Sequence, residues 1–244
     1  MNLTQKTILI TGGNSGIGFN LVKQLSTKNN QLIVVTRSEN NWDQITEINP
    51  DITKIQCDLS KKNEVLHLAE KLKSKNIDLD VLINCAAVQY TPKLIDDDFA
   101  FDQIDVEITT NFTSVMWLSY LLLPTLLSRS QSAIVNLSSG LALYPKSSSA
   151  GYCASKAAIH SFSQSLRYQL SNTPVKVIEV LLPLVDTPMT TGRGKGKISP
   201  EAAALEIIKG IEREKNEIYV GKARLLPLLI RLYPGLVKRI LKKH

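Results

Sequence analysis

Short apolar runs alternate with helix-length intervals along this chain, and this alternation constrains its fold more than any other feature. The runs with strand-like composition span residues 7–10, 31–35, 53–56, 79–84, 132–137, 175–182 and 217–220. Strands separated by intervals of helical length predict βαβ units and a parallel sheet. Several runs are almost continuously apolar, as expected of strands that helices cover on both faces. We therefore expect an α/β fold, a single doubly wound domain with a parallel seven-stranded sheet and helices on both faces.

The intervals between these runs carry helix signals. Predicted helices cover residues 16–28, 41–48, 60–74, 98–127, 151–171 and 199–214. The last has the clearest start, because Ser199 can cap it, Pro200 suits the first helical position and Glu201 places an acid in the first turn. No linker divides the chain. Residues 1–221 are therefore expected to form one domain, with 222–244 as a basic segment packed on it or extending from it.

Composition excludes several classes of protein. Hydrophobic residues make up 43% of the 244 residues, which is enough to build a buried core. The N-terminus lacks the pattern of a signal peptide, and the apolar runs are too short to span a bilayer. Cys57, Cys85 and Cys153 are an odd number without metal-ligand spacing. We expect buried thiols, no metal site and a cytoplasmic location.

A glycine-rich turn follows the first predicted strand. Residues 11–18 read Thr-Gly-Gly-Asn-Ser-Gly-Ile-Gly and lead into a predicted helix. Small residues at this place let a backbone approach a pyrophosphate at a helix N-terminus. The glycine spacing differs from the Gly-x-Gly-x-x-Gly of many dinucleotide folds, and a tight turn without a ligand is the alternative.

Tyr152 and Lys156 lie one helical turn apart, so a phenol and an ammonium share one face of a predicted helix. The pair alone is a weak signal, because short motifs arise by chance. Acid-base work by tyrosine near neutrality requires its pKa to fall by roughly three units, about 4 kcal/mol. An ammonium about 4 Å from the phenolate supplies about 4 kcal/mol at an effective dielectric near 20. We therefore expect Lys156 to lower the pKa of Tyr152.

Taken together, the motifs resemble the short-chain dehydrogenase/reductase family over nearly the whole chain. The residues that carry the resemblance are 11–18, Asp58, 84–87, Asn111, Ser138, Ser139, Tyr152, Lys156, Val185 and Thr187. The resemblance implies a Rossmann-type fold and direct hydride transfer between a nicotinamide and a substrate carbon. Ser139 lies 13 residues before Tyr152, the usual separation in the family, and is preferred over Ser138 as the catalytic serine.

The resemblance also implies roles for individual residues. Ser139 would hydrogen-bond the substrate carbonyl, Tyr152 would exchange the proton, Lys156 would also hold the nicotinamide ribose, and Asn111 would support a water-mediated proton relay. Simpler interpretations remain, with Asn111 as a buried helical amide, Ser139 as a turn former and Asp58 as a cap. The expected cofactor contacts are Thr11, Gly12, Asn14, Ser15, Gly16, Ile17, Gly18, Arg37, Asp58, Leu59, Asn84, Ala86, Tyr152, Lys156, Pro183, Val185 and Thr187.

The choice of cofactor depends on the end of the second strand. An acid there binds the ribose hydroxyls of NAD, whereas a base accepts the extra phosphate of NADP. The strand ends in Thr36 and Arg37, and a guanidinium suits a phosphate. We therefore expect NADP(H), with Glu39 as the residue that keeps NAD(H) open as the alternative. By resemblance, Asp58 would contact the adenine edge.

The chain departs from the family pattern in two places. Ala87 adds a methyl group where the family has a glycine. Pro183 also occupies a glycine position of the family and removes a backbone N–H donor there. The combination is similar to bacterial members encoded beside teichoic-acid D-alanylation genes. These departures leave open an alternative function, a non-catalytic dinucleotide-binding protein with a regulatory or scaffold role.

The net charge of +7 lies in the C-terminal segment. Residues 222–244 hold seven bases and no acid, alternating with apolar clusters as in an interfacial helix. Pro227 and Pro234 are expected to break this segment into short pieces. A membrane surface, the substrate pocket and a partner subunit are equally open as its contact. Nucleic acid is disfavoured because aromatic residues for base stacking are nearly absent. By resemblance, a homodimer or homotetramer is expected.

The substrate-facing residues should follow strands four, five and six. The expected apolar wall consists of Val88, Leu141, Leu143, Tyr144 and Leu184, with the segment 190–198 as a lid. That segment contains three glycines and three bases. The leading hypothesis is an NADP(H)-dependent oxidoreductase that interconverts an apolar or medium-sized ketone and its secondary alcohol.

Overall fold

The computed structural model describes residues 1–242; Lys243 and His244, the end of the predicted basic segment, lie outside the described residues. Seven parallel strands form one sheet in the order β3-β2-β1-β4-β5-β6-β7. The strands are β1 (Thr7–Thr11), β2 (Gln31–Thr36), β3 (Thr53–Gln56), β4 (Val81–Asn84), β5 (Ser132–Ser139), β6 (Val175–Leu182) and β7 (Glu217–Tyr219). The chain order reverses between β1 and β4, which creates a crevice at the carboxyl ends of the strands. The predicted parallel sheet is confirmed.

Helices connect the strands. They are α1 (Gly16–Ser26), α2 (Trp42–Ile48), α3 (Lys62–Ser74), α4 (Asp102–Ile108), α5 (Ser114–Leu127), α6 (Ala150–Gln169), α7 (Pro200–Glu212), α8 (Leu226–Leu232) and α9 (Pro234–Leu241). The helix predicted over 98–127 is interrupted, because a π-helical turn at Thr109–Thr113 separates α4 from α5. The start of α7 agrees with the prediction, since the Ser199 hydroxyl accepts the Ala202 N–H at 3.1 Å.

Apolar layers cover both faces of the sheet. On one face Leu21 and Leu25 of α1 pack with Ile207 of α7 in a single core cluster. On the other face Leu118 of α5 and Leu166 of α6 belong to a second cluster. Burial on both faces explains why the strands are continuously apolar rather than alternating. The predicted doubly wound arrangement is confirmed.

The C-terminal segment forms two short helices. Pro227 lies in the first turn of α8, where its missing N–H costs no hydrogen bond, and Pro234 begins α9. The segment lies against the loop after β5. A Cβ built on Gly140 would be 3.2 Å from Leu226 Cδ2, and the Ser147 hydroxyl donates to the Lys242 carbonyl at 3.0 Å.

Within residues 1–242, none of the helices combines the length and the apolar character that crossing a membrane requires.

Candidate active site

A cavity of about 340 Å³ opens at the crevice between β1 and β4. Its wall includes these expected cofactor contacts: Gly12, Asn14, Ser15, Gly16, Ile17, Gly18, Arg37, Asp58, Leu59, Ala86, Tyr152, Lys156 and Thr187. Thr11, Asn84, Pro183 and Val185 are outside this wall. The sequence motifs from both halves of the chain therefore converge on one elongated site.

The glycine turn shapes one end of the cavity. Gly12 has φ +69°, and a Cβ on it would be 2.8 Å from the Cα of Ala86. A Cβ on Gly18 would overlap the carbonyl oxygen of Gly12. Ser15 precedes α1 without a side-chain cap, so the first amides of the helix are left for another acceptor. This cradle of bare backbone and helix N-terminus fits the pyrophosphate of a dinucleotide.

Thr11 and Asn84 act inside the scaffold rather than at the cavity surface. The Thr11 hydroxyl accepts the N–H groups of Cys85 at 3.0 Å and Ala86 at 3.1 Å. Asn84 Nδ2 donates to Asn136 Oδ1 at 2.9 Å. These bonds fix the loop after β4, whose residues 85–88 line the cavity.

Asn111 clamps that loop to the helices. Its Oδ1 accepts the Val88 N–H at 2.8 Å, and its Nδ2 donates to the Val88 carbonyl at 2.8 Å and to Ser155 Oγ at 3.2 Å. The residue is 1% exposed and lies in the π-helical turn, a feature that is frequent at functional sites. Both protons of its amide are used by the protein, so a proton relay at this residue has to run through other atoms.

The geometry distinguishes the two serines at the end of β5. The side-chain oxygen of Ser139 accepts the Leu141 N–H at 3.1 Å, and its hydroxyl is close enough to Tyr152 to act on the pKa of the phenol. Ser138 is part of the cavity wall, but its hydroxyl is turned toward the Lys156 carbonyl oxygen at 3.4 Å. Ser139 is therefore the serine whose hydroxyl lies beside the tyrosine.

Lys156 lies beneath Tyr152. Its Nζ is 5.6 Å from the centroid of the Tyr152 ring and donates to the Leu137 carbonyl oxygen at 2.8 Å. Only 4% of its surface is exposed, and this burial lowers the pKa of Lys156 to about 8. The side chain is therefore mostly an ammonium at neutral pH.

The expectation that Lys156 lowers the pKa of Tyr152 is wrong for these protein groups. Burial raises the pKa of Tyr152 and nearby Cys153 adds to the rise, whereas Ser139 opposes it. The reason is that burial outweighs the nearby cations, and the Lys156 ammonium lies over the ring while it donates to the Leu137 carbonyl oxygen. Tyr152 is therefore a neutral phenol with its proton in place.

Glu107 is a site residue that sequence reasoning missed. Its Oε1 accepts the Tyr90 N–H at 2.9 Å, and a Cβ on Gly151 would overlap its Oε2. The residue is 4% exposed, and burial raises the pKa of its carboxyl group. Its position one helical turn before Asn111 is the signal that was available, because both side chains then face the same loop.

Arg37 lies at the opposite end of the cavity from Tyr152, just after β2. It lines the cavity, is exposed, and forms no ion pair with any carboxylate in residues 1–242. Glu39 is outside the wall. Asp58 lines the cavity while its Oδ1 accepts the Ser60 N–H at 3.0 Å and the Ser60 hydroxyl at 2.7 Å, so it also shapes its own turn.

The segment 190–198 is tied to its surroundings. Arg193 Nη1 donates to Gln89 Oε1 at 3.0 Å, and Lys197 Nζ pairs with Asp186 at 3.0 Å. Of the predicted apolar wall, Val88 lines the cavity, whereas Leu184 is 39% exposed and packs on the segment at Gly194. Leu141, Leu143 and Tyr144 are partly buried outside the wall of this cavity.

The three cysteines and one group of histidine and glutamate side chains are candidates for metal ligands or reactive groups. Cys57 and Cys153 are buried and Cys85 is partly buried, all as free thiols. Within residues 1–242, one group brings His and Glu side chains within 4.8 Å of one another, formed by His160, Glu179 and Glu217. His160 Nδ1 lies 2.7 Å from Glu179 Oε2, and none of the three residues lines the cavity.

Known proteins share the sequence and the architecture. Residues 6–197 match the family model described as short chain dehydrogenase. The uncharacterized oxidoreductase DltE of Bacillus subtilis is 37% identical over 230 residues, which cover 89% of each chain. A short chain dehydrogenase from Burkholderia cenocepacia in complex with NADP has a TM-score of 0.87 at 23% identity over 99% of both chains. One from Burkholderia phymatum in complex with NAD has a TM-score of 0.82 at 19% identity, covering 95% of this chain and 96% of that one.

Proposed function

The chain belongs to the short-chain dehydrogenase/reductase family of oxidoreductases, and from this premise we propose that it is an NADP(H)-dependent enzyme interconverting a carbonyl and a secondary alcohol. One observation carries the proposal. A neutral Tyr152, with Ser139 beside it and the Lys156 ammonium over its ring, lines the same cavity as the glycine turn and Arg37. No comparison favours the non-catalytic alternative.

The proposed chemistry divides between cofactor and protein. When bound, a nicotinamide dinucleotide supplies the hydride that forms the new C–H bond at the carbonyl carbon. Ser139 donates a hydrogen bond to the carbonyl oxygen, and the Tyr152 hydroxyl transfers its proton to that oxygen, which yields the alcohol. The charge of Arg193, which acts to lower the pKa of Tyr152, favours the tyrosinate that remains, while the Lys156 ammonium lies over the ring. A protonated Tyr152 is the form that donates the proton in carbonyl reduction.

Positioning comes from the buried groups behind the site. Asn111 and Glu107 hold the Val88 and Tyr90 amides, so the loop beside the carbonyl is fixed by bonds to a single helical stretch. Asn111 also bonds Ser155, in the same helix turn as Tyr152 and Lys156. We assign these residues the role of maintaining the distance between that loop and the proton donor.

NADP(H) is the proposed cofactor because Arg37 is a cavity-lining guanidinium without an acidic partner. The Burkholderia cenocepacia relative was solved with NADP and the Burkholderia phymatum relative with NAD, so the family accommodates both. Arg37 can bind a phosphate by two parallel hydrogen bonds, and this chemistry supports NADP(H) over NAD(H).

Arg37→Gln tests this preference. A charged hydrogen bond to phosphate is worth about 1.5 to 3 kcal/mol, so we expect the NADPH Kd to rise about 10-fold to 100-fold. The NADH Kd should change less than about threefold, because NADH lacks that phosphate. Fluorescence titration with each cofactor measures both constants. Glu39→Gln is the matched control and should leave the NADPH Kd unchanged; equal losses for NADPH and NADH in Arg37→Gln would contradict the assignment.

A peripheral contact with an anionic membrane is a second proposal, for residues 222–242. Leu228 and Leu232 are each 57% exposed, and Leu236 is 52% exposed, among bases and with no acid in the segment. We expect sedimentation with phosphatidylglycerol-containing vesicles, and loss of it in Leu232→Glu. Equal binding to phosphatidylcholine vesicles would contradict a preference for an anionic surface. A Leu232→Glu variant that changes only the oligomeric state in light scattering would assign the surface to a partner subunit.

A further inference from the structure

Two cations near the catalytic tyrosine have no acidic partner. Arg193 and Lys146 are both partly buried, and neither forms an ion pair with a carboxylate in the described part of the chain, residues 1–242. Partly buried charges are costly unless a counter-charge approaches them. The other base of the same segment that is partly buried, Lys197, is paired with Asp186. Unlike Lys197, Arg193 and Lys146 therefore have no carboxylate partner within residues 1–242.

Arg193 is hydrogen-bonded to the loop after β4, whose residues 85–88 line the cavity. Its Nη1 donates to Gln89 Oε1 at 3.0 Å, and Gln89 follows Val88, the cavity residue that Asn111 clamps. The backbone of the segment is fixed as well, since the Arg193 N–H donates to the Thr190 carbonyl at 3.0 Å. The charge of Arg193 acts on Tyr152 and lowers its pKa against the larger effect of burial. The guanidinium is thus preorganised within electrostatic reach of the proton donor.

Lys146 belongs to a different loop of the chain. It lies in the loop that joins Ser139 to helix α6, within electrostatic reach of the Cys153 thiol, next to Tyr152. Burial lowers the pKa of Lys146, and repulsion from Arg193 lowers it further. Two like charges near each other favour an anion that relieves both. Glu107 does not fill this role, because its Oε1 accepts the Tyr90 N–H and it forms no ion pair with either cation within residues 1–242.

We propose that the substrate is an anionic carbonyl compound, whose carboxylate or phosphate is bound by Arg193 and Lys146 while its carbonyl meets Ser139 and Tyr152. The inference rests on the proposed function, since it names the substrate class of that site. It narrows the expectation of an apolar or medium-sized ketone to one that carries an anionic group. Val88 and Leu184 then contact the hydrocarbon between the two polar ends.

Turnover of matched pairs tests the proposal. The pairs are 2-oxo, 3-oxo and 4-oxo acids against their methyl esters, and dihydroxyacetone phosphate against dihydroxyacetone, followed by NADPH oxidation. We expect kcat/KM to favour the anion at least about tenfold, as a charge-assisted hydrogen bond predicts. In Arg193→Gln and Lys146→Gln this ratio should fall toward one, with partial recovery in Arg193→Lys. Lys195→Gln, an exposed base of the same segment, is the control and should keep the ratio.

A binding measurement separates this proposal from the proposed function. With saturating NADP⁺, the thermal stability of the wild type is measured against glutarate and dimethyl glutarate, and against glycerol phosphate and glycerol. Stabilisation by an anion that is lost in Arg193→Gln supports the anion site even if no carbonyl is reduced. The inference is overturned if the enzyme reduces neutral ketones as well as anionic ones and no anion binds in an Arg193-dependent way. The proposed function would still stand in that case.

Discussion

Tyr152→Phe is expected to lower carbonyl turnover with NADPH by about 10²-fold to 10⁴-fold, the range that a positioned general acid contributes. Phenylalanine keeps the ring that lies against the Lys156 ammonium and removes only the hydroxyl beside Ser139. The packing and the cofactor cradle therefore stay the same. We expect the NADPH Kd to change less than about threefold.

Steady-state NADPH oxidation and a fluorescence titration measure the two quantities on one preparation. Tyr168→Phe makes the same chemical change on helix α6 at a side chain that is 72% exposed, and it should leave both quantities unchanged. Turnover in Tyr152→Phe equal to that of wild type would remove Tyr152 as the proton donor. Loss of NADPH binding together with turnover would indicate a structural role instead.

Gly18→Ala is expected to have the second largest effect, on cofactor binding and on stability together. The added Cβ would overlap the Gly12 carbonyl oxygen, a backbone atom that no side-chain rotation can move away. Alanine gains up to about 1 kcal/mol of helix propensity, but overpacking costs about 1 to 3 kcal/mol and forces the turn to shift. We expect the NADPH Kd to rise at least about tenfold, and Tm to fall by about 2 to 4 °C per kcal/mol lost.

Gly235→Ala is the matched control for this substitution. Gly235 lies in helix α9, and nothing is within 4 Å of a Cβ built there. The same exchange should therefore leave NADPH binding unchanged and keep or slightly raise Tm. Thermal unfolding and NADPH titration of both variants check the contrast. Unchanged NADPH affinity in Gly18→Ala would contradict the assignment of the glycine turn as the pyrophosphate cradle.

The fold could be predicted because strand composition and helix caps depend on residues that are adjacent in the sequence. Strand composition and spacing identified the parallel sheet, and the capping residues around Ser199 identified the start of α7. The break between α4 and α5 could not be predicted, since it accompanies hydrogen bonds between Asn111 and Val88, which are 23 residues apart. Helical periodicity carries no information about such a contact.

The candidate site shows the same division. The spacing of Tyr152 and Lys156 and the glycine turn were visible in sequence, and both line one cavity. The link between Arg193 and Gln89 joins residues 104 positions apart and was not predicted. The direction of the Tyr152 pKa shift was mistaken because sequence gives the charge of Lys156 but not the burial of the phenol. Folding decides which of these opposing effects is larger.

Deuterium transfer decides whether this chain is a carbonyl reductase that uses NADPH. The wild type is incubated with NADPH deuterated at either face of nicotinamide C4 and with the carbonyl pairs above, and the products are analysed by mass spectrometry. We expect one of the two labelled cofactors to place deuterium on the carbinol carbon of the alcohol, and Tyr152→Phe to form almost none of it. Absence of labelled alcohol from both cofactors across the whole panel would contradict the proposed function.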